Sequence, residues 1–203
     1  MTYRLPRDVS RETLDRLTHY ASLLKKWNPK INLVSPKTLA DLWTRHFVDS
    51  AQIFDCADEG ARCWVDLGSG GGFPGAVVAI LAAELAPEQQ TVLIESDLRK
   101  STFLRTVARE TGVAFIILNQ RIEAAEPQSA DVVSARALAP LTQLLGYVER
   151  HLNTGGLALL PKGRASDREV AEALERWRFD CETIASQTDP EAVILKIKEI
   201  ERV

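Results

Sequence analysis

The chain has 203 residues, with 25 lysines and arginines against 28 aspartates and glutamates, and a formal net charge of −3. That length suits one domain with a short extra lobe, and the mild acidity excludes a wholly basic nucleic-acid binder while allowing a local basic face. Three scattered cysteines (Cys56, Cys63, Cys181) and three histidines offer neither a disulfide framework nor a metal cluster, so no metal is expected and the cysteines are read as small buried hydrophobes.

The first residues, MTYRLPRDVSRETL, lack the apolar core of a signal peptide. The most apolar run, residues 76–86, is too short to span a bilayer and stops at Pro87. A cytoplasmic protein is therefore expected. Leu14, Leu17, Ala21, Leu24 and Trp27 recur at helical spacing, which predicts an amphipathic helix from Ser10 to about Lys26, ended ahead of Asn28-Pro29. Ser35-Pro36 reads as a cap followed by proline at the first helical position. A second helix is predicted from there toward Phe54, with Leu39, Trp43, Phe47 and Ala51 inward. The polar residues 58–60 form a linker, so residues 1–58 are read as a helical extension packed on a main domain of residues 59–203.

Beyond the linker the periodicity changes. Strands are predicted at residues 63–67, 91–95, 114–118, 131–134 and 157–160. Helices are predicted at 74–86, from the Asp97 cap to Gly112, at 140–152 ended by Asn153-Thr-Gly-Gly156, and from a Ser166-x-x-Glu169 capping box to about Arg178. Two last strands, near 181–186 and 192–197, flank the turn Thr188-Asp-Pro-Glu191 and must pair antiparallel. Alternating strands and helices predict an α/β fold with a mostly parallel sheet covered on both faces and an antiparallel last strand.

In such sheets a ligand binds beyond the carboxyl ends of the strands. The first strand ends in WVDLGSGGGFPG, whose glycines permit sharp turns and close approach of a ligand. Two cofactors compete for this loop. Gly70-x-Gly72-x-x-Gly75 with Glu95 downstream matches the dinucleotide fingerprint of an NAD-dependent oxidoreductase. Against it, Pro74 has no N–H for a pyrophosphate and Asp66 would repel one. Beside the cationic amino and sulfonium groups of S-adenosylmethionine, Asp66 is favourable, and Asp66-x-Gly68-x-Gly70-x-Gly72 is the pattern of class I methyltransferases. Glu95 can accept from both ribose hydroxyls of either cofactor. Arg121-Ile122-Glu123 follows the third strand, where Ile122 can pack on an adenine.

Further motifs run along most of the chain: Asn32-Leu-Val-Ser35, Arg45-His-Phe-Val-Asp-Ser50, Phe73-Pro-Gly75, Lys100-Ser-Thr-Phe-Leu-Arg105, Ser134-Ala-Arg-Ala137 and Pro161-Lys-Gly163. With the glycine loop, they make the chain resemble the RsmG (GidB) family of bacterial small-subunit rRNA guanine-N7 methyltransferases. The resemblance implies a class I (Rossmann-like) methyltransferase fold with an N-terminal helical extension and S-adenosylmethionine as donor. It implies an acceptor at N7 of a guanine (position 527) in the 530 loop of 16S rRNA, met as naked RNA or within the small ribosomal subunit or its precursor. Carried over by motif, cofactor contacts fall on Gly68, Phe73, Ile122, Glu123 and Arg136, beside Asp66, Gly70 and Glu95 from the loop reading. The chain departs from the family's usual residues at Phe73, often leucine, and at Pro161, often aliphatic.

The chemistry agrees with that reading. Methyl transfer from an activated donor is mainly a problem of alignment. Guanine N7 carries a free lone pair and no proton, so no general base is expected. The position after the fourth strand, Ser134-Ala-Arg136-Ala137, shows neither the Asn/Asp-Pro-Pro loop of amino methylation nor a Pro-Cys nucleophile. Arg136 is expected to position the methionine carboxylate, guanine O6 or a phosphate. RNA contact is assigned to Arg45, His46, Lys100 and Lys162, with Lys25, Lys26, Lys30, Lys37, Arg99 and Arg164 as further cations. His46 and Asp49, three apart on a helix, are read as positioning or packing groups. A monomer is expected. A non-catalytic RNA-binding module and a methyltransferase with another acceptor are the remaining alternatives.

Overall fold

The structure, a computed structural model, describes Leu5 and residues 7–203. Of the stretch MTYRLPRDVSRETL, residues 1–4 and 6 lie outside the described residues. Among the described residues no helix is long and apolar enough to cross a membrane.

Helix α1 (Arg11–Ile31) is capped by the Ser10 hydroxyl, which accepts from the Thr13 amide at 3.2 Å. Its buried stripe is Leu17, Tyr20, Ala21 and Leu24, whereas Leu14, expected inward, is exposed. The helix also runs through Asn28-Pro29 instead of stopping ahead of it. Proline in a helix interior costs about 3 kcal/mol. Here tertiary bonds offset that cost. The buried Asn28 side chain accepts from the Val34 amide at 2.8 Å, and Asn32, in the left-handed region, closes the helix onto the Asn28 carbonyl.

The second predicted helix is broken into three pieces: a single 3-10 turn (Pro36–Thr38), a π-helical stretch (Trp43–Val48) and helix α2 (Asp49–Asp55). The π-helical stretch coincides with an inserted side chain. Arg136 of the main domain reaches in and takes the Arg45 carbonyl at 3.1 Å, a group the regular helical ladder would otherwise use.

The main domain alternates as expected. Strands are β1 (Cys63–Leu67), β2 (Gln90–Ile94), β3 (Ile116–Leu118), β4 (Ala130–Ala135), β5 (Leu152–Lys162), β6 (Trp177–Ala185) and β7 (Val193–Arg202). Helices are α3 (Gly75–Leu85), α4 (Leu98–Thr111), α5 (Leu141–His151) and α6 (Ser166–Ala173). The sheet order is β3-β2-β1-β4-β5-β7-β6. The first five strands are parallel, and β7 inserts antiparallel between β5 and β6. Strand order reverses between β1 and β4, so the loops after β1, β2, β3 and β4 converge at one edge.

Two local expectations fail for tertiary reasons. Residues 153–156 are not a turn that ends a helix; they lie inside β5, where the register with β4 jumps from Ala130↔Leu152 to Val132↔Leu157. Ser166 and Glu169 form no capping box. Ala165 precedes the helix without a side-chain cap, and Glu169 turns away to other partners. Helix α6 stops at Ala173 because Trp177 already belongs to β6, with its indole N–H donating to the Thr142 carbonyl at 2.9 Å. Of the cysteines, Cys56 and Cys63 are half-buried, but Cys181 is exposed on the edge strand β6 rather than buried; all three are free.

The loss of one acceptor tests the α1 ending. Asn28→Ala strands the Val34 amide and should lower stability by about 1–3 kcal/mol, read as a lower urea midpoint at unchanged slope. An unchanged midpoint would show that the proline is accommodated without that bond.

Candidate functional site

Four of the five glycines in the loop after β1 lie close against a neighbour. A Cβ on Gly68 would stand 2.6 Å from Leu138 Cδ1, and one on Gly71 would stand 3.0 Å from the Leu33 carbonyl. On Gly72 it would strike the Tyr20 hydroxyl and come within 2.9 Å of Leu104. On Gly75 it would meet the Asp66 side chain at 2.6 Å. Gly70 alone among them is open, with only the Gly68 carbonyl at 3.8 Å. So most of these glycines admit protein rather than ligand. Tyr20 and Leu33 come from the extension, and the buried Tyr20 hydroxyl donates to the Gly71 carbonyl.

Asp66 does not occupy the position expected of it. Its side chain is fully buried beneath the loop and lines neither cavity described below. One carboxylate oxygen accepts from the Gly75 amide at 3.2 Å and the other from Ser134 Oγ at 2.8 Å; Ser134 in turn accepts from the Trp64 indole at 2.9 Å. Burial raises its pKa to about 6, against the pull of the hydrogen bonds and of Arg136. The carboxylate here serves the fold, because the start of α3 needs an acceptor for its first amide.

The same bonds bear on the choice between the two cofactors. The amides of Gly68 and Ser69 donate to the Ile94 carbonyl, those of Gly72 and Phe73 to the Ser69 carbonyl, that of Gly70 to Glu95 and that of Gly75 to Asp66. Pro74 has no N–H. A pyrophosphate needs converging free amides at a helix start. Most of this loop's amides are bonded within the protein, which weighs against the dinucleotide reading.

Two cavities meet at Gly68, Gly70, Lys100 and residues 137–140. The smaller, about 450 Å³, is lined by Glu95, Ile122, Glu123 and Tyr147. Glu95 is almost buried; its carboxylate accepts from the Gly70 amide at 2.8 Å and the Asp97 amide at 2.7 Å. Ile122 starts a short turn held from below, where His151 Nε2 meets the Ile122 carbonyl at 3.0 Å and Arg150 donates to the Ala125 carbonyl. The larger cavity, about 1010 Å³, is lined by the extension, by the loop and by residues 186–194 at the β6–β7 turn.

Arg136 sits between the two parts of the chain. It donates to Asp49 and to the Arg45 carbonyl at 3.1 Å each and to His46 Nδ1 at 2.8 Å, and its guanidinium stacks 5.2 Å from the Phe73 ring. Arginine only donates, so His46 Nδ1 must accept and its proton lies on Nε2, facing Thr38 Oγ1 at 2.8 Å. Burial, then Arg136 and Arg45, lower the His46 pKa to about 3. His46 is therefore neutral, with both nitrogens engaged. Phe73 is buried among Tyr20, Phe47 and His46, so its ring braces the extension.

Not every predicted RNA contact is free. Arg45 is exposed and pairs with Asp189 at 2.7 Å. Lys100 borders both cavities. His46 is consumed by Arg136, and Lys162 is only 10% exposed, paired with Glu169 at 2.7 Å. Several organising residues carried no signal of their own in the sequence: Tyr20, Leu138, Gln52 and Thr188. Thr188 and Gln52 both donate to Asp49, tying the β6–β7 turn to α2. Asp49 was visible through its motif; the others become visible only in three dimensions.

Two measurements check these assignments. Gly72→Ala should lose more stability than Gly70→Ala, by at least about 1–2 kcal/mol, since only the former collides with packed side chains; the reverse order would contradict the packing. For Asp66, the raised pKa means that its contribution to stability is fully present below 3.8 and lost as pH rises through about 6. The stability of the native chain relative to Asp66→Asn should therefore fall between pH 4 and pH 7 in urea titrations, and a constant difference would contradict the burial.

Comparison with known proteins places this geometry. The family model described as GidB, rRNA small subunit methyltransferase G, matches residues 13–191. The ribosomal RNA small subunit methyltransferase G of Ruegeria sp. (strain TM1040) is 59% identical over 97% of this chain and 95% of its own length. That of Ruegeria pomeroyi is 55% identical over 97% and 96%. Among solved structures, a ribosomal protein L11 methylase from Lactobacillus delbrueckii subsp. bulgaricus superposes with a TM-score of 0.60 at 16% identity, covering 76% of this chain and 79% of that one. A SAM-dependent methyltransferase from Aquifex aeolicus gives 0.60 at 12% identity, covering 87% and 97%. These two share the fold. The matched span and the high identities over nearly the whole length establish that the chain belongs to the GidB family of small-subunit ribosomal RNA methyltransferases.

Proposed function

We propose that this chain transfers the methyl group of S-adenosylmethionine to N7 of a guanine, position 527 in the 530 loop of 16S rRNA. It acts as a cytoplasmic monomer on RNA within the small ribosomal subunit or its precursor. Residues 59–203 form the catalytic domain, and residues 1–58 form an extension that supports the cofactor loop. The observation that carries the acceptor reading is His46: the histidine of the large cavity is neutral with both nitrogens engaged, and Asp49 beside it is held by Arg136 and Thr188, so neither stands ready to remove a proton. That suits guanine N7, which has none to lose.

The smaller cavity fits the donor. Glu95 retains lone pairs for the two ribose hydroxyls, Ile122 offers an apolar floor for adenine with Glu123 beside it, and Gly70 leaves open space above the loop. Bound S-adenosylmethionine supplies an already activated methyl carbon. The chain's own work is then alignment and the exclusion of water. Arg136 aligns the extension with the loop after β4, while Asp66 and Phe73 hold the cofactor loop from beneath. Arg45 and Lys100 remain as phosphate contacts, with the exposed Lys26, Lys30 and Lys37 near them. Helices α1 and α4 run antiparallel, with Trp27 on Phe103 and His19 beside Glu110, which brings the lysine-bearing end of α1 to the Lys100 end of α4.

Three outcomes are expected. S-adenosylhomocysteine should raise the melting temperature and NAD should not; a shift with NAD alone would overturn the donor assignment. N7-methylguanine at position 527 should disappear from 16S rRNA when the gene is deleted, and an unchanged map would remove the acceptor assignment. Arg136→Ala should fold with a lowered melting temperature and lose at least about ten-fold in methyl transfer, because a misplaced group costs a reaction that depends on alignment. Normal transfer at limiting cofactor and RNA would show that Arg136 serves the fold alone.

A further inference from the structure

The segment between β4 and α5, residues 137–140, borders both cavities. It is held in an uncommon conformation. Ala137 has φ of 52°, in the left-handed region that a residue with a Cβ seldom occupies. Leu138 follows with its side chain against Gly68, where the two cavities join. Such a segment needs fastening, and it is fastened at three points. Arg136 ties its beginning to the extension. Lys162 Nζ donates to the Ala139 carbonyl at 3.2 Å and to Glu169 Oε2 at 2.7 Å. The same Glu169 oxygen accepts the Leu141 amide at 2.9 Å, at the start of α5, where Pro140 provides no side-chain cap.

We propose that Lys162 and Glu169 are positioning residues for methyl transfer: together they clasp residues 137–141 so that Leu138 stands between the donor and acceptor compartments. The assignment rests on the methyltransferase reading above and concerns the wall of that same site. It differs from a phosphate-binding role for Lys162. The Lys162 side chain is 10% exposed, and its ammonium already has a carboxylate and a carbonyl as partners. Three further facts support the clasp. Lys162 ends β5, a strand parallel to β4, so its ammonium arrives at the same edge as Ala139. Glu169 reaches there from the first turn of α6, which packs against α5. A carboxylate at the start of α5 is also electrostatically favourable.

The two roles predict opposite behaviour of Glu169. If Lys162 binds phosphate, removing the neighbouring carboxylate frees the cation and strengthens RNA binding. If the pair is a clasp, removing either partner loosens the same loop. The test uses the full-length chain with Lys162→Met, Glu169→Ala and Glu169→Gln. Each is measured for kcat and for RNA KM on small-subunit RNA from about 50 to about 300 mM salt, and for amide hydrogen exchange across residues 136–141. Lys162→Met and Glu169→Ala should both lower kcat by at least about ten-fold, leave the salt slope of KM unchanged, and accelerate exchange at Leu141 and its neighbours. Glu169→Gln keeps an oxygen for both donors and should retain most of kcat. A salt slope lowered by about one in Lys162→Met with kcat preserved would make Lys162 a phosphate contact and overturn the proposal. So would tighter RNA binding with normal kcat in Glu169→Ala, or a lowered melting temperature with unchanged exchange and normal kcat. Exchange reads the clasp directly, so an unmethylated product with the wild-type chain would count against the proposed acceptor and leave the clasp to stand or fall on the exchange.

Discussion

A single buried carboxylate organises the centre of this protein. Asp66 lies at the end of β1 and accepts from two directions: the first amide of α3 and the Ser134 hydroxyl of β4. Ser134 is itself held by the Trp64 indole on β1. One side chain thus joins the two strands at the topological switch point to the helix that begins above them. Burying a carboxylate is costly, and the rise of its pKa to about 6 reflects that cost. The return is geometric. The loop between β1 and α3 is fixed with its amides turned inward, and its outer surface at Gly70 is left bare.

The extension packs into the glycine loop rather than standing beside it as an appendage. Tyr20 hydrogen-bonds the Gly71 carbonyl, the Leu33 backbone presses on Gly71, and Phe73 is enclosed by Tyr20, Phe47 and His46. On the other side of the cavity, Arg136 joins the end of β4 to Asp49 and His46 and locally widens the helix that carries them. Thr188 and Gln52 carry the connection on to the β6–β7 turn. The large cavity is thus walled by three distant stretches of chain that share one hydrogen-bonded network. A disturbance at Asp49 or Arg136 is therefore expected to reach the donor side as well as the acceptor side.

Much of this was legible in the sequence. The switch from helical to strand periodicity after residue 60, the start of the first helix at Ser10, the Asp97 cap, the helix end at Gly112 and the short turn before the last strand all appear as read. The failures share one cause. The helix across Pro29, the π-helical stretch after Ser35, the bulge at residues 153–156 and the missing capping box at Ser166 are places where a partner outside the element itself overrides local preference. In the candidate site, Gly70, Glu95 and Ile122, proposed for the donor side, stand where strand ends should put them. Asp66, Phe73, His46 and Lys162 are instead engaged within the protein, because each meets a donor, acceptor or ring from another part of the chain.

What the sequence determined by itself was the class of fold, the family and the strand-end loops that form the site. These follow from periodicity and from glycines and carboxylates at fixed spacings, which are local properties. Only the tertiary structure decided which charged groups at the cavity are shielded by their partners and which stay accessible. Arg136, His46, Lys162, Arg45 and Lys100 all line the large cavity, yet the first three are largely covered and hydrogen-bonded within its wall, whereas Arg45, though paired with Asp189, is exposed and Lys100 borders both cavities. The difference lies in contacts across as many as 91 residues of chain, as between Arg136 and the Arg45 carbonyl, and such contacts exist only once the sheet has brought its strand ends together.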